Sequence, residues 1–120
     1  MSKILLVEDS GMQRGAVKIF IKNGGHNVED YENYDLASSA LEKFQFDLCV
    51  LDIETTGDKT IYDFIRELKT KKSDVPVVVL SARIKSQAEK ELSELGITEF
   101  LWKPIRENEL QEVIENQLKK

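Results

Sequence analysis

Residues 48–52 read Leu48-Cys49-Val50-Leu51-Asp52, four consecutive apolar side chains closed by an acid. A strand with one face in water alternates apolar and polar residues. An unbroken apolar run this short therefore implies a strand covered on both faces, as in a parallel sheet. The pattern occurs twice more, in Ile4-Leu5-Leu6-Val7 followed by Glu8-Asp9, and in Val77-Val78-Val79-Leu80 followed by Ser81. Two weaker stretches, Asn27-Val28-Glu29-Asp30-Tyr31 and Glu99-Phe100-Leu101-Trp102, mix polar and apolar residues and suit the edges of a sheet.

Between these runs apolar residues recur at helical spacing. Met12, Ala16, Ile19 and Phe20 predict one stripe; Leu36, Ala37, Ala40, Leu41 and Phe44 predict a second, with Asp35 as its N-cap. Ile61, Phe64, Ile65 and Leu68 mark a third helix, Ala88, Leu92 and Leu95 a fourth, and Leu110, Val113, Ile114 and Leu118 a fifth. Gly24-Gly25 and Gly96 read as helix stops. Strand and helix thus alternate, and parallel neighbours require right-handed crossovers that place helices on both faces. With the weak strands outermost, the expected architecture is an α/β, flavodoxin-like (βα)5 three-layer sandwich with a five-stranded parallel sheet of order 2-1-3-4-5.

At 120 residues and 41% hydrophobic content the chain is expected to form a single domain over 1–120. The 22 acidic and 17 basic residues leave a net charge of −5, which argues against direct nucleic-acid binding and leaves divalent cations or basic partners open. Cys49 is the single cysteine and cannot form an internal disulfide, so it reads as a small buried residue in a reducing compartment. No apolar stretch is long enough to span a membrane, and the expected location is the cytoplasm. His26, the one histidine, reads as a surface residue at a strand start.

In open parallel sheets, ligands bind beyond the C-terminal ends of the strands. Four strand ends supply Glu8 and Asp9, Asp52, Ser81, and Lys103. Three carboxylates brought together repel: two unit charges ~4 Å apart interact by ~4 kcal/mol at an effective dielectric near 20. A bound cation relieves this, and oxygen-only ligands favour Mg²⁺. Lys103 adds a positive charge and Ser81 a hydroxyl donor, both suited to an oxyanion. A phosphoryl group is the anion that fits, with Asp52 as its covalent acceptor.

On these residues the chain resembles the CheY-like receiver domain of two-component response regulators. The similarity is carried by VEDS (7–10), LD (51–52), VVLSA (78–82) and FLWKP (100–104). It implies phosphotransfer to Asp52 from a histidine kinase or His-phosphotransfer protein. Mg²⁺ would be held by Asp9, Asp52 and the backbone carbonyl of Glu54, with Glu8 assisting. Ser81 and Lys103 would contact the phosphoryl group, and Phe100 would be the switch aromatic on the face made by the fourth helix, fifth strand and fifth helix. The Lys103-Pro104 bond is expected to be cis. Trp102 shares a strand side with Phe100.

The chain departs from the usual pattern after the acceptor, where Glu54-Thr55-Thr56-Gly57 stands and no Met-Pro follows. Glu54 and Arg83 are expected to lie near the phosphoryl group and to tune its hydrolysis. The spelling Asp52-Ile53-Glu54 also matches the first metal-binding motif of proofreading exonucleases, and with Thr55-Thr56 it echoes the nucleophile motif of haloacid-dehalogenase phosphatases. Both fail on motif order, and the second also on chain length. A receiver-like interaction module that is never phosphorylated is the remaining alternative.

Overall fold

All three apolar runs are central strands of one sheet. The computed structural model describes residues 2–71, 74–82 and 87–119. Its elements alternate as β1 (Lys3–Val7), α1 (Gly11–Asn23), β2 (Asn27–Tyr31), α2 (Tyr34–Lys43), β3 (Leu48–Asp52), α3 (Ile61–Lys71), β4 (Val77–Ser81), α4 (Gln87–Glu94), β5 (Glu99–Trp102) and α5 (Glu107–Leu118). The strands pair in parallel in the order β2-β1-β3-β4-β5.

Alternate residues of each central strand enter opposite cores. Leu5, Val7, Cys49, Leu51, Val77 and Val79 pack with Tyr34, Phe64, Ile65, Leu68 and Leu92 on one face. Ile4, Leu6, Leu48, Val50, Val78 and Leu80 pack with Val17, Ile21, Leu110 and Ile114 on the other. Each buried aliphatic side chain is stabilised by about 1.5–3 kcal/mol relative to exposure, so these two layers dominate the energetics. Cys49 is fully buried, and burial pushes its thiol up to about 12.

Three expectations need correction. On α1 the buried face is Val17 and Ile21, while Met12 and Ile19 are 87% and 57% exposed. The helix is apolar around much of its girth, so spacing alone left its rotation open. On α2 the N-cap is Asn33, whose side chain accepts from the Leu36 N–H at 2.9 Å; Asp35 is a first-turn residue. The helix begins two residues before Leu36, so Tyr34 enters the core, and Leu36 and Phe44 are left largely exposed. His26, finally, is not a surface group: its side chain is only 9% exposed. Its Nδ1 accepts from the Ser2 N–H, and Nε2 lies 2.6 Å from Glu115 Oε2 on α5.

The glycine stops hold, with Gly24 capping α1 and both Gly25 and Gly96 at positive φ, where a side chain would be strained. Thr60 and Asp63 cap the start of α3 reciprocally, each side chain taking the other's backbone N–H. Phe100 and Trp102 stack at 6.3 Å between ring centroids and 12° between planes, with Trp102 partly exposed at the sheet edge.

Candidate functional site

Register brings the polar strand ends together. Val7 pairs with Leu51, so the following residues, Glu8 and Asp52, emerge side by side; Ser81 pairs with Trp102, so Lys103 comes next to it. The Lys103 N–H donates to the Ser81 carbonyl at 2.8 Å, which extends the β4–β5 pairing into the site. The Lys103–Pro104 bond is cis.

Glu8 and Asp52 are both 1% exposed. Beyond β1 the chain turns into α1, whose N-cap Ser10 accepts from the Gln13 N–H and donates its own N–H to Glu8 Oε2 at 3.1 Å. That bond aims the Glu8 carboxylate back at the sheet. Lys103 Nζ donates to Glu8 Oε1 at 3.0 Å and stands 2.7 Å from Asp52 Oδ1. The second contact is a close ion pair. Asp52 Oδ1 is the one buried side-chain nitrogen or oxygen among the described residues without a hydrogen bond, so the ammonium neutralises it without saturating it. Oδ2, by contrast, accepts from the Thr55 hydroxyl at 2.7 Å.

Two residues join this site that strand-end position does not single out. Thr55, 7% exposed, also accepts from the Asp9 N–H at 3.1 Å, tying the β1 and β3 ends together. Tyr34 reaches from the first turn of α2 to donate its phenol to the Asp52 carbonyl at 2.6 Å, in full burial. Burial and then the nearby Asp52 carboxylate push the Tyr34 pKa well up, so it stays a donor. Neither residue lies on a periodic pattern; only the polar type of Thr55, three residues after Asp52, could have flagged it.

Glu54 lies at the rim, its side chain 30% exposed. Its carboxylate accepts from the Ser81 hydroxyl at 3.2 Å and from the Ala82 N–H through both oxygens at 3.2 and 3.3 Å, with Lys103 Nζ at 3.9 Å. The side chain therefore does not stand free in solvent. Arg83 lies outside the described residues. Phe100 is partly buried against the core that contains Tyr34 and Phe64, and it stacks on Trp102.

Electrostatically the site is short of positive charge. Burial, and to a lesser degree the neighbouring Asp52, raise the Glu8 pKa against the opposing pull of the Ser10 N–H and Lys103. Burial works to lower the Lys103 pKa, but its contacts with Asp52 and Glu8 prevail and hold it above the ordinary value. Glu8, Asp9 and Asp52 each offer a carboxylate oxygen, all within 4.8 Å of one another. A single ammonium cannot balance three acids at this spacing. The oxygen-only donor set fits a hard divalent cation. Beside the cluster, an open cavity of about 490 Å³ lies between α1 and the β5–α5 connection, lined by Val17, Phe20, Ile105 and Pro104, with Lys103 contributing to its wall.

Comparison with known proteins gives a consistent result. A family model described as the response regulator receiver domain matches residues 4–115. The virulence transcriptional regulatory protein PhoP of Shigella flexneri is 27% identical over 108 residues, which cover 90% of this chain and 48% of that protein. The chain thus spans about half the length of that relative. Among solved structures, the non-phosphorylated HemR receiver domain of Leptospira biflexa has a TM-score of 0.87 at 28% identity, over 100% of this chain and 96% of that one. The receiver domain of a Pseudomonas aeruginosa PAO1 sensor histidine kinase was solved with a magnesium ion coordinated in its active-site cleft. It has a TM-score of 0.89 at 21% identity, covering 99% of this chain and 98% of that one, a likeness of fold.

Proposed function

The chain belongs to the response regulator receiver domain family, and from that premise we propose that Asp52 accepts a phosphoryl group from a phosphohistidine on a histidine kinase or His-phosphotransfer protein. The observation that carries the proposal is Asp52 Oδ1: a buried carboxylate oxygen at the end of β3, paired with the Lys103 ammonium at 2.7 Å. Thr55 already engages the other oxygen, so Oδ1 is the one available to attack. In the transfer Oδ1 forms the new bond to phosphorus, the phosphorus–nitrogen bond breaks, and the imidazole keeps the electron pair. The acceptor loses its own charge and gains the charges of the phosphoryl oxygens. Lys103 then pairs with those oxygens, and Ser81 donates its hydroxyl to one of them.

Asp9, Asp52, the Glu54 backbone carbonyl and, secondarily, Glu8 would hold Mg²⁺, which when bound supplies neutralising charge at the phosphoryl group. Movement of Ser81 toward the phosphoryl group vacates space that Phe100 enters, and the face formed by α4, β5 and α5 repacks for a downstream partner. The full 120 residues act as one receiver unit in this scheme. Its location is the cytoplasm, and neither nucleic acid nor a membrane is bound directly. Among the described residues no helix is long and apolar enough to cross a membrane.

Incubation with acetyl phosphate and Mg²⁺, followed by intact mass, tests the reading. The expected result is a gain of one phosphoryl mass that Asp52→Asn abolishes. No gain with acetyl phosphate, phosphoramidate or a phosphorylated His-phosphotransfer protein would instead mark an interaction module that is never phosphorylated.

A further inference from the structure

We propose that the Glu54 carboxylate is an internal anion seated in the phosphoryl-binding pocket, and that an incoming phosphoryl group must displace it. The inference deepens the reading above and rests on it. Three donors from two separate strand ends converge on this one carboxylate: the Ser81 hydroxyl at the end of β4, the Ala82 N–H just after it and, at longer range, the Lys103 ammonium beyond β5. A hydroxyl, a backbone N–H and an ammonium facing one point are what a tetrahedral oxyanion requires. Here the point is already taken by the protein's own anion.

Local geometry makes this a held position. The Ile53 N–H donates to the Leu80 carbonyl at 2.9 Å, so β3 stays registered with β4 one residue past Asp52. The next residue, Glu54, is thereby delivered over the end of β4, beside Ser81 and Ala82. Thr55 anchors the far side of the turn through Asp52 Oδ2 and the Asp9 N–H. The exit is open nonetheless, because the side chain is 30% exposed and can swing outward without disturbing the core.

Occupancy of the site by an internal ligand lowers the apparent affinity for any external one in proportion to the fraction of time the site is filled. A phosphoryl group bonded to Asp52 competes at a high effective concentration, whereas a free anion of similar shape does not. Glu54 thus acts as a filter: small anions are refused, and a covalently delivered phosphoryl group is admitted. The residue is a specificity-determining one, acting through occupancy of the pocket.

The test titrates beryllofluoride, a non-covalent phosphoryl mimic, at saturating Mg²⁺ into the wild type and into Glu54→Ala, Glu54→Gln and Glu54→Asp, reading the fluorescence of Trp102, the single tryptophan. Removing a competing charge-assisted contact predicts a midpoint lower by about fivefold in Glu54→Ala and about twofold in Glu54→Gln. Glu54→Asp keeps the charge but is one methylene too short to meet both Ser81 and Ala82, so it should follow Glu54→Ala. Equal midpoints in wild type and Glu54→Ala overturn the inference. A Glu54→Asp midpoint at the wild-type value overturns it as well, since long-range repulsion would then account for the rest. Silence in all four proteins, with no covalent gain from acetyl phosphate, overturns the phosphorylation reading and takes this inference with it.

Discussion

Thr55 illustrates how much a single hydroxyl can organise. It donates to Asp52 and accepts from the Asp9 N–H, so it fixes the Asp52 side chain and the β1 loop in one stroke. Thr55→Val should leave Oδ2 without a donor in a nearly dry setting, lowering stability by about 1–2 kcal/mol in urea unfolding and slowing mass gain from acetyl phosphate. Tyr34→Phe keeps the ring and its 5.4 Å contact with Phe64 but strands the Asp52 carbonyl, which Tyr34 now holds at 2.6 Å. The expected cost is again about 1–3 kcal/mol, with little change in fluorescence. At this scale the sequence was only partly informative. Residue type and strand-end position picked out Glu8, Asp9, Asp52, Ser81 and Lys103, and the structure brings them together. The direction of Glu54 and the reach of Tyr34 and Thr55 depend on turn dihedrals and on where α2 begins, which residue type does not encode.

Among the elements, β2 is the polar edge strand, and Asp30 explains how it is held. Its carboxylate takes Lys18 at 2.8 Å and Arg14 at 3.1 Å, both from α1. Burial pushes its pKa up, but Lys18 and then Arg14 more than offset this, so the net shift is downward. A depressed carboxyl contributes stability that is fully present above the unfolded value of about 3.9 and lost as pH falls through the lower folded value. Asp30→Asn should therefore lower the urea midpoint at pH 7 by about 0.5–1 kcal/mol equivalent, and the gap should narrow on acidification to about pH 3. Equal gaps at both pH values would sink this account. The strands and their order were legible because a run such as Val77–Leu80 has only one comfortable environment. The rotation of α1 was not legible, because Met12, Val17, Ile19 and Ile21 are all apolar and only docking on the sheet selects Val17 and Ile21.

For the molecule as a whole, stability rests on two packed layers, one on each face of a single sheet. Truncating the middle of either layer should destabilise the fold: Ile65→Ala and Leu80→Ala each predict a loss of about 2–5 kcal/mol, read as a fall in thermal midpoint. Any downstream partner is set by chemistry outside the strand and helix pattern, which is why the fold was readable but the output was not. Cys49 offers a way to watch the molecule open. Its thiol is the only one, sits in the middle of the sheet and is pushed up to about 12 by burial, so a native molecule gives an alkylating reagent nothing to attack. Every alkylated chain must first have opened through its centre. The rate of iodoacetamide labelling is thus a built-in clock for global opening, and cysteines introduced at the surface can carry probes without removing the native one.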